Sequence, residues 1–239
     1  RFARDKRYKL YSDGKLFDIS NDKLEQRPIL ATADTEATRK VRQRLAVVLK
    51  EMPNPDPAPR DGDPRDSQQR LYLAAGGKLS VFSVNKDSGE LSLVQKLRLD
   101  GAGPFTFAPN RKLMYAVSVT ADEENRLPAI ATLQLGKGGK LELSNIAKVK
   151  LRPGYLMTDN NGEFLAGNHY GPGKATIWKI DPVFQGVTAQ ELTLEPKAHS
   201  TVFSPDNHWL LVPATEPNKV FINHFTAQVG TSEPNDHPF

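Results

Sequence analysis

The sequence predicts an all-β protein that forms part of a β-propeller, preceded by a small α+β segment of one hairpin and one helix. The main observation is a pattern that occurs three times, in residues 103–117, 153–167 and 198–212. Each copy contains an apolar strand, a turn rich in Pro, Asp and Asn, and a second apolar strand. A strand-built period of about 40–50 residues is typical of propeller blades. A β-sandwich is the alternative, but it would not show this internal repeat.

The spacing of the strand-like runs is the second observation. With Phe107, Met157 and Phe203 aligned, the three copies are 50 and 46 residues apart. We predict fourteen strands separated by polar turns. They are 71–75, 78–84, 91–97, 103–108, 113–119, 129–135, 141–149, 153–158, 164–170, 174–180, 189–194, 199–204, 209–215 and 219–225. Fourteen strands make about three and a half four-stranded blades. The first strand would then lack its inner partner and the last strand its outer partner, which leaves strand edges unpaired.

Residues 1–52 are predicted to form a separate α+β segment. Two short strand-like runs, 7–11 and 15–19, flank the pair Asp13-Gly14. An Asp-Gly pair between two such runs is a strong hairpin signal. We therefore expect this segment to begin with a two-stranded hairpin.

A helix over residues 35–51 is predicted to follow the hairpin. Asp34 or Thr35 can cap its first turn, and Pro53 ends it. The apolar side chains that recur at helical spacing are Ala37, Val41, Leu45, Val48 and Met52.

Residues 53–69 hold five prolines and few apolar side chains. This stretch cannot bury a core, so we interpret it as a linker to the incomplete propeller of residues 70–239.

Composition excludes several classes of protein. The 239 residues include no cysteine, which excludes disulfides, thiolate nucleophiles and Cys-ligated zinc. The net charge of +4 comes from residues 1–52, where 13 basic residues are interspersed with 8 acidic ones. This alternation favours a solvated surface over a nucleic-acid interface. No apolar run reaches the roughly 20 residues of a membrane helix, so we expect a soluble protein.

The start of the chain is charged and has neither an initiating Met nor the apolar stretch of a signal peptide. We therefore expect the chain to begin inside a longer protein. The sequence leaves the compartment open between cytoplasmic and exported.

The repeated region resembles the lactonase family of seven-bladed propellers, which includes bacterial-type 6-phosphogluconolactonase. Three segments carry the resemblance: residues 71–84, the hairpin at 87–91, and Ala198 to Asn207 followed by 211–214. The similarity covers about residues 70–239 and corresponds to the first half of that family's fold. It implies hydrolysis of a sugar lactone or a related cyclic ester by the complete protein, without a metal or other cofactor.

The first segment resembles the extreme C-terminal subdomain of sulfatases. The matching residues are 7–11, 13–19 and 21–26, although sulfatases typically have Asp-Pro where this chain has Asp22-Lys23. The catalytic machinery of sulfatases is absent, since the sequence has no Cys and no Ser-x-Pro-x-Arg. We expect a sulfatase–lactonase fusion cut at both ends, and no sulfatase activity.

His199 is the strongest candidate for chemistry. Opening a lactone requires a base that activates water and a donor or cation that holds the developing oxyanion. His199 stands at the start of an inner strand, where the other copies have Gly103 and Pro153. A polar residue that breaks the repeat at a channel mouth can carry a site on a symmetric scaffold. The resemblance also places a histidine of the lactonase cleft here. The alternative is a structural histidine hydrogen-bonded between blades.

Asn168, His169 and Tyr170 end the second strand of the preceding blade. With the adjacent Ser200, they are predicted to contact a polyol or phosphate group of the substrate; a surface turn is the alternative. The inner strand runs away from the His199 end and the second strand returns towards it, so we expect the two segments to meet.

The resemblance places further cleft residues, an arginine and a glutamate, in later blades beyond Phe239. It therefore implies that the 239-residue chain alone is inactive. The competing hypothesis is a non-catalytic propeller that binds a glycan or protein partner. We expect the protein to bind neither nucleic acid nor a membrane.

Overall fold

The computed structural model describes residues 2–51, 69–120 and 125–235. It divides the chain into two compact units, Arg1–Asp63 and Pro64–Phe239. The predicted linker, apart from Gln69, lies outside the described residues.

The first unit contains a three-stranded antiparallel sheet in the order β1-β2-β3. Its strands are β1 (Phe2–Arg4), β2 (Tyr8–Tyr11) and β3 (Leu16–Asp18). The predicted hairpin is β2–β3, and its turn closes with a bond from Gly14 N to Tyr11 O at 2.9 Å. Strand β1 was not predicted, because three residues are too few to show a strand pattern.

One helix, α1 (Glu36–Glu51), completes the described part of this unit. Thr35 caps it, since its Oγ1 accepts from Thr38 N at 3.2 Å. The predicted apolar face is partly wrong: Val48 is 41% exposed, and Leu49 is buried beside Leu45. Both positions lie about one turn from Leu45, and only tertiary contact with the sheet decides which of them is buried.

The second unit is a series of antiparallel sheets in which consecutive strands pair. The first sheet comprises β4 (Arg70–Ala75), β5 (Lys78–Val84) and β6 (Leu91–Arg98). The second comprises β7 (Phe105–Phe107), β8 (Leu113–Val119), β9 (Pro128–Leu135) and β10 (Leu141–Lys148). The third comprises β11 (Tyr155–Thr158), β12 (Phe164–His169), β13 (Lys174–Ile180) and β14 (Phe184–Thr193). The fourth comprises β15 (Val202–Phe203), β16 (Trp209–Ala214), β17 (Lys219–Thr226) and β18 (Thr231–Pro234).

The sheets are arranged as successive propeller blades. Strand β11 contacts both β7 and β15, so the three repeated segments lie side by side as predicted. Apolar clusters fill the space between consecutive sheets, and each draws buried residues from two of them. Strand β4 is the inner edge of its sheet within the described residues, in agreement with the predicted missing partner.

The outer strands of the third and fourth sheets correct the prediction. The last sheet has its outer strand, β18, where we expected none. Its sequence, TSEP, is short and polar, and so lacks the alternation that marks a strand. Strand β14 begins at Phe184, five residues before the predicted start, because register shifts in its pairing with β13 interrupt the alternation.

The turns between the first two strands of each blade correct the alignment of the repeats. In each turn one residue has a left-handed backbone: Arg111, Gly162 and Asn207. Each donates its N–H to the residue three positions earlier, so the three turns are equivalent. Counting back from them, Thr158 stands level with Phe107 and Phe203. The predicted alignment of Met157 with these phenylalanines is therefore wrong by one residue.

Candidate active site

The candidate site lies at the edge where inner strands begin and second strands end. Three backbone bonds of one type define this edge: Gly103 N to Val117 O at 3.0 Å, Gly154 N to Asn168 O at 2.8 Å, and His199 N to Pro213 O at 2.8 Å. His199 is therefore the equivalent of Gly103 and Gly154, rather than of Pro153. It remains the one residue of the three with a polar side chain.

His199 and Tyr170 are brought together across two adjacent sheets. The His199 side chain is exposed, and its ring centroid lies 5.9 Å from that of Tyr170 in an edge-to-face arrangement. Tyr170 is 45% exposed, and its hydroxyl lies 3.4 Å from the Oγ1 of Thr215. The expected meeting of the two segments is present. An accessible imidazole beside a phenol provides one proton acceptor and one hydrogen-bond donor at a single surface.

The residues before His199 are held tightly from both sides. Lys197 N donates to Tyr170 O at 2.8 Å, and Lys197 O accepts from Thr215 N at 3.1 Å. Lys197 has a left-handed backbone (φ 61°), and the equivalent residue two sheets earlier is Gly101 (φ 68°). A non-glycine residue in this conformation costs about 1–2 kcal/mol. These contacts offset that strain and fix the direction in which the chain reaches His199.

Asn168 is buried directly behind this segment. It is 1% exposed, and its Nδ2 donates to the carbonyl oxygen of Ala198. Its Oδ1 has no hydrogen-bond partner within the described residues. The side chain therefore contacts the backbone of the next blade rather than the surface.

His169 is also buried, with both ring nitrogens engaged. Its Nδ1 lies 3.2 Å from Arg152 O, which can only accept, so Nδ1 carries the proton. Its Nε2 then accepts from the Thr176 hydroxyl at 2.8 Å. The ring also packs edge-on against Trp178, with centroids 6.1 Å apart. This geometry suits a neutral imidazole that supports the end of β12.

Burial lowers the pKa of His169, and the hydrogen bond to Arg152 opposes that shift. The unfolded chain therefore binds the second proton of the imidazole, the one that charges the ring, more readily than the folded chain. The contribution of His169 to stability should be complete above about pH 6.5 and should decrease as the pH falls below that value.

We expect the urea midpoint of the wild type to fall more than that of His169→Asn between about pH 7.5 and about pH 5. Exposed His208→Asn is the control, and equal losses in all three proteins would contradict the assignment.

Arg152 is the residue at this edge that sequence reasoning missed. Its guanidinium donates to Gly101 O at 2.7 Å and to Ser118 O at 3.4 Å, which ties the third sheet to the second. In the corrected alignment Arg152 and Lys197 occupy equivalent positions, so consecutive blades carry a cation at the same place. The one-residue error in alignment concealed this signal.

The other polar residues near the site have mainly structural contacts. Lys174 pairs with Glu191 at 2.7 Å. Ser200 is half-buried next to His199. Gly173, which has a left-handed backbone (φ 63°), packs against the Glu195 carbonyl so closely that a Cβ would collide with it. It thereby holds the loop after Tyr170 against the segment that leads to His199.

The remaining histidines lie away from the site where they are described. His208 is exposed in the turn at the opposite end of the inner strand, and His224 stacks edge-on with Trp209 at 5.3 Å. His237 lies outside the described residues.

Across 2–51, 69–120 and 125–235, no group of three or more His, Asp or Glu side chains is placed to hold a metal ion. No helix in those same ranges is long and apolar enough to cross a membrane.

Comparison with known proteins identifies relatives of the second unit. The sequence pattern of the family "Lactonase, 7-bladed beta-propeller" matches residues 67–238. A 6-phosphogluconolactonase of Photorhabdus laumondii is 30% identical over 161 residues, covering 65% of this chain and 46% of the relative. A 6-phosphogluconolactonase of Yersinia pestis is 29% identical over 166 residues, covering 67% and 47%. The solved structure of the Pseudomonas aeruginosa periplasmic gluconolactonase has a TM-score of 0.60 at 16% identity, covering 70% of this chain and 53% of that one.

Proposed function

The chain belongs to the lactonase family of seven-bladed β-propellers, and we propose that it forms part of a protein that hydrolyses a sugar lactone. The observation that carries the proposal is the pairing of exposed His199 with Tyr170 at the edge where the inner strands begin. The names of the relatives, 6-phosphogluconolactonases, support a sugar lactone as the substrate class.

In the proposed reaction His199 acts as the general base. Its imidazole takes a proton from water as the water oxygen adds to the lactone carbonyl. The ring C–O bond then breaks, and the imidazolium returns the proton to the departing ring oxygen, which gives a hydroxy acid. Tyr170 and Ser200 are proposed to bind hydroxyl or phosphate oxygens of the sugar. Asn168 and His169, which were predicted as substrate contacts, are buried, so we propose supporting roles for them. No metal or cofactor takes part in this scheme.

The chain spans about half the length of the curated relatives it matches. The family resemblance assigns the arginine and glutamate of the cleft to blades beyond Phe239. We therefore propose that the parent protein, with all seven blades, is the active form. Arg152 does not replace the missing arginine in this scheme, because its guanidinium is already hydrogen-bonded to two backbone carbonyls.

The proposal is tested by measuring acid release from sugar lactones, both phosphorylated and neutral. We expect the seven-bladed parent to open at least one of them and the 239-residue chain to open none. Failure of the parent on both classes, together with retained binding of a glycan, would favour the non-catalytic propeller. Turnover by the 239-residue chain would show that the later blades are dispensable.

For residues 1–52 we propose the C-terminal subdomain of a sulfatase, joined to the propeller by the Pro-rich stretch 53–69. Its support is the sequence resemblance and the separate core of this unit, in which Leu10 and Leu16 pack against Leu45. Sequencing the gene upstream of Arg1 tests it. The absence of a sulfatase catalytic domain there would reject the fusion.

A further inference from the structure

We propose that Asn168 is a positioning residue for His199 and acts through the carbonyl group of Ala198. The role of His199 as a base rests on the function proposed above, whereas the positioning itself does not. The carrying observation is the bond from Asn168 Nδ2 to Ala198 O, made by a side chain that is 1% exposed.

The position of Asn168 in the repeat supports a dedicated role. Asn168 O accepts a hydrogen bond from the backbone N–H at the start of the inner strand of its sheet. The residues whose carbonyls accept the equivalent bond are Val117 in the second sheet and Pro213 in the fourth. Asn168 is thus the polar member of an otherwise apolar set, and it stands in the sheet that faces His199. Its Oδ1 is buried without a partner among the described residues, and a buried polar atom without a hydrogen bond destabilises the fold. The bond that the amide does make, to Ala198 O, is the contact that distinguishes Asn168 from an apolar residue at this point.

The bond adds a side-chain anchor to the backbone bonds that hold the segment before His199. Lys197 is left-handed, and two backbone bonds hold it against Tyr170 and Thr215. The Ala198 carbonyl lies one residue further along the chain, and Asn168 anchors it from the preceding blade. His199 then starts from a fixed backbone, with its ring against Tyr170. The peptide between Ala198 and His199 is then bonded at both ends, because His199 N also donates to Pro213 O at 2.8 Å. Without the anchor only the bond to Pro213 remains, and the peptide can tilt about it and shift the imidazole relative to Tyr170.

The first test measures ring contacts by NMR in the 239-residue chain. We expect Asn168→Ala to lose the nuclear Overhauser contacts between the His199 and Tyr170 rings. The matched control is Asn223→Ala, which removes another buried asparagine whose Nδ2 donates to a strand carbonyl, that of Leu210 at 3.4 Å. Wild-type contacts in Asn168→Ala would overturn the proposal.

A second measurement uses the wild type and holds even if Asn168→Ala does not fold. The side-chain amide protons of Asn168 should exchange with solvent much more slowly than those of exposed Asn161. Equal exchange rates would mean that the bond to Ala198 is absent, and the proposal would then be wrong.

The third test uses the seven-bladed parent and distinguishes a positioning role of Asn168 from a direct contact with the substrate. We expect Asn168→Ala to lower kcat by on the order of 10-fold or more, with KM for the lactone unchanged, because misplacing a reacting group slows the chemical step. A raised KM with unchanged kcat would make Asn168 a substrate contact and overturn the proposal. If the wild-type parent opens no lactone, the proposed function fails, while the ring contacts still decide the positioning.

Discussion

Replacing His199 with alanine in the seven-bladed parent should lower lactone hydrolysis by on the order of 100-fold or more, the range for losing a general base. The fold should survive, because the side chain is exposed and its ring lies edge-on to that of Tyr170 at the surface. The backbone bond from His199 N to Pro213 O does not depend on the side chain. The measurement is kcat/KM for the best lactone, with circular dichroism as the check on folding.

His208→Ala is the matched control. His208 is also an exposed histidine of the fourth sheet, but it lies in the turn at the other end of the inner strand. It should retain wild-type activity. Wild-type kcat/KM in His199→Ala would remove this residue from the mechanism. Equal losses in both variants would indicate a general loss of structure rather than the loss of a base.

The blade architecture was predictable because two local signals agree with each other. The apolar runs mark the strands, and the Pro-, Asp- and Asn-rich turns recur at a nearly constant period. The exact alignment was not predictable, because Met157 is apolar and Thr158 is not. The backbone places Thr158 level with Phe107, and its Oγ1 bonds to the Phe107 carbonyl at 3.2 Å. A buried hydroxyl with a backbone partner looks like a surface residue in sequence.

The meeting of His199 with Tyr170 was predictable from strand direction alone, and the structure contains it. Its supporting contacts were not predictable. His169 was predicted to contact the substrate because it is polar and ends a strand near His199, yet the residue is 2% exposed. Its partners, Arg152 O and Thr176, come from the chain on either side of β12. Such pairings depend on tertiary packing, which a repeat pattern does not specify.

Trp178→Ala should produce the largest loss of stability in the second unit. Trp178 is 1% exposed and lies in the apolar cluster between the second and third sheets. Its ring is edge-on to Phe184 at 6.4 Å, and it fills space left by Gly167, where a Cβ would lie 2.9 Å from the indole. Truncating a buried tryptophan costs about 3–5 kcal/mol, because the cavity between two sheets can collapse only in part. Urea unfolding followed by circular dichroism measures this loss.

Trp209→Ala is the control, since it removes the other of the two tryptophans in the sequence. Trp209 is half-buried and edge-on to His224, so its loss should cost about 1 kcal/mol, the centre of the range for single substitutions.

The two tryptophans should also differ in their effect on the site, because the Trp178 ring supports His169 at the end of β12. Trp178→Ala should therefore weaken the His199–Tyr170 ring contacts at urea concentrations where the sheets remain folded, and Trp209→Ala should not. Equal destabilisation by the two substitutions would mean that the packing between the second and third sheets is not the main source of stability.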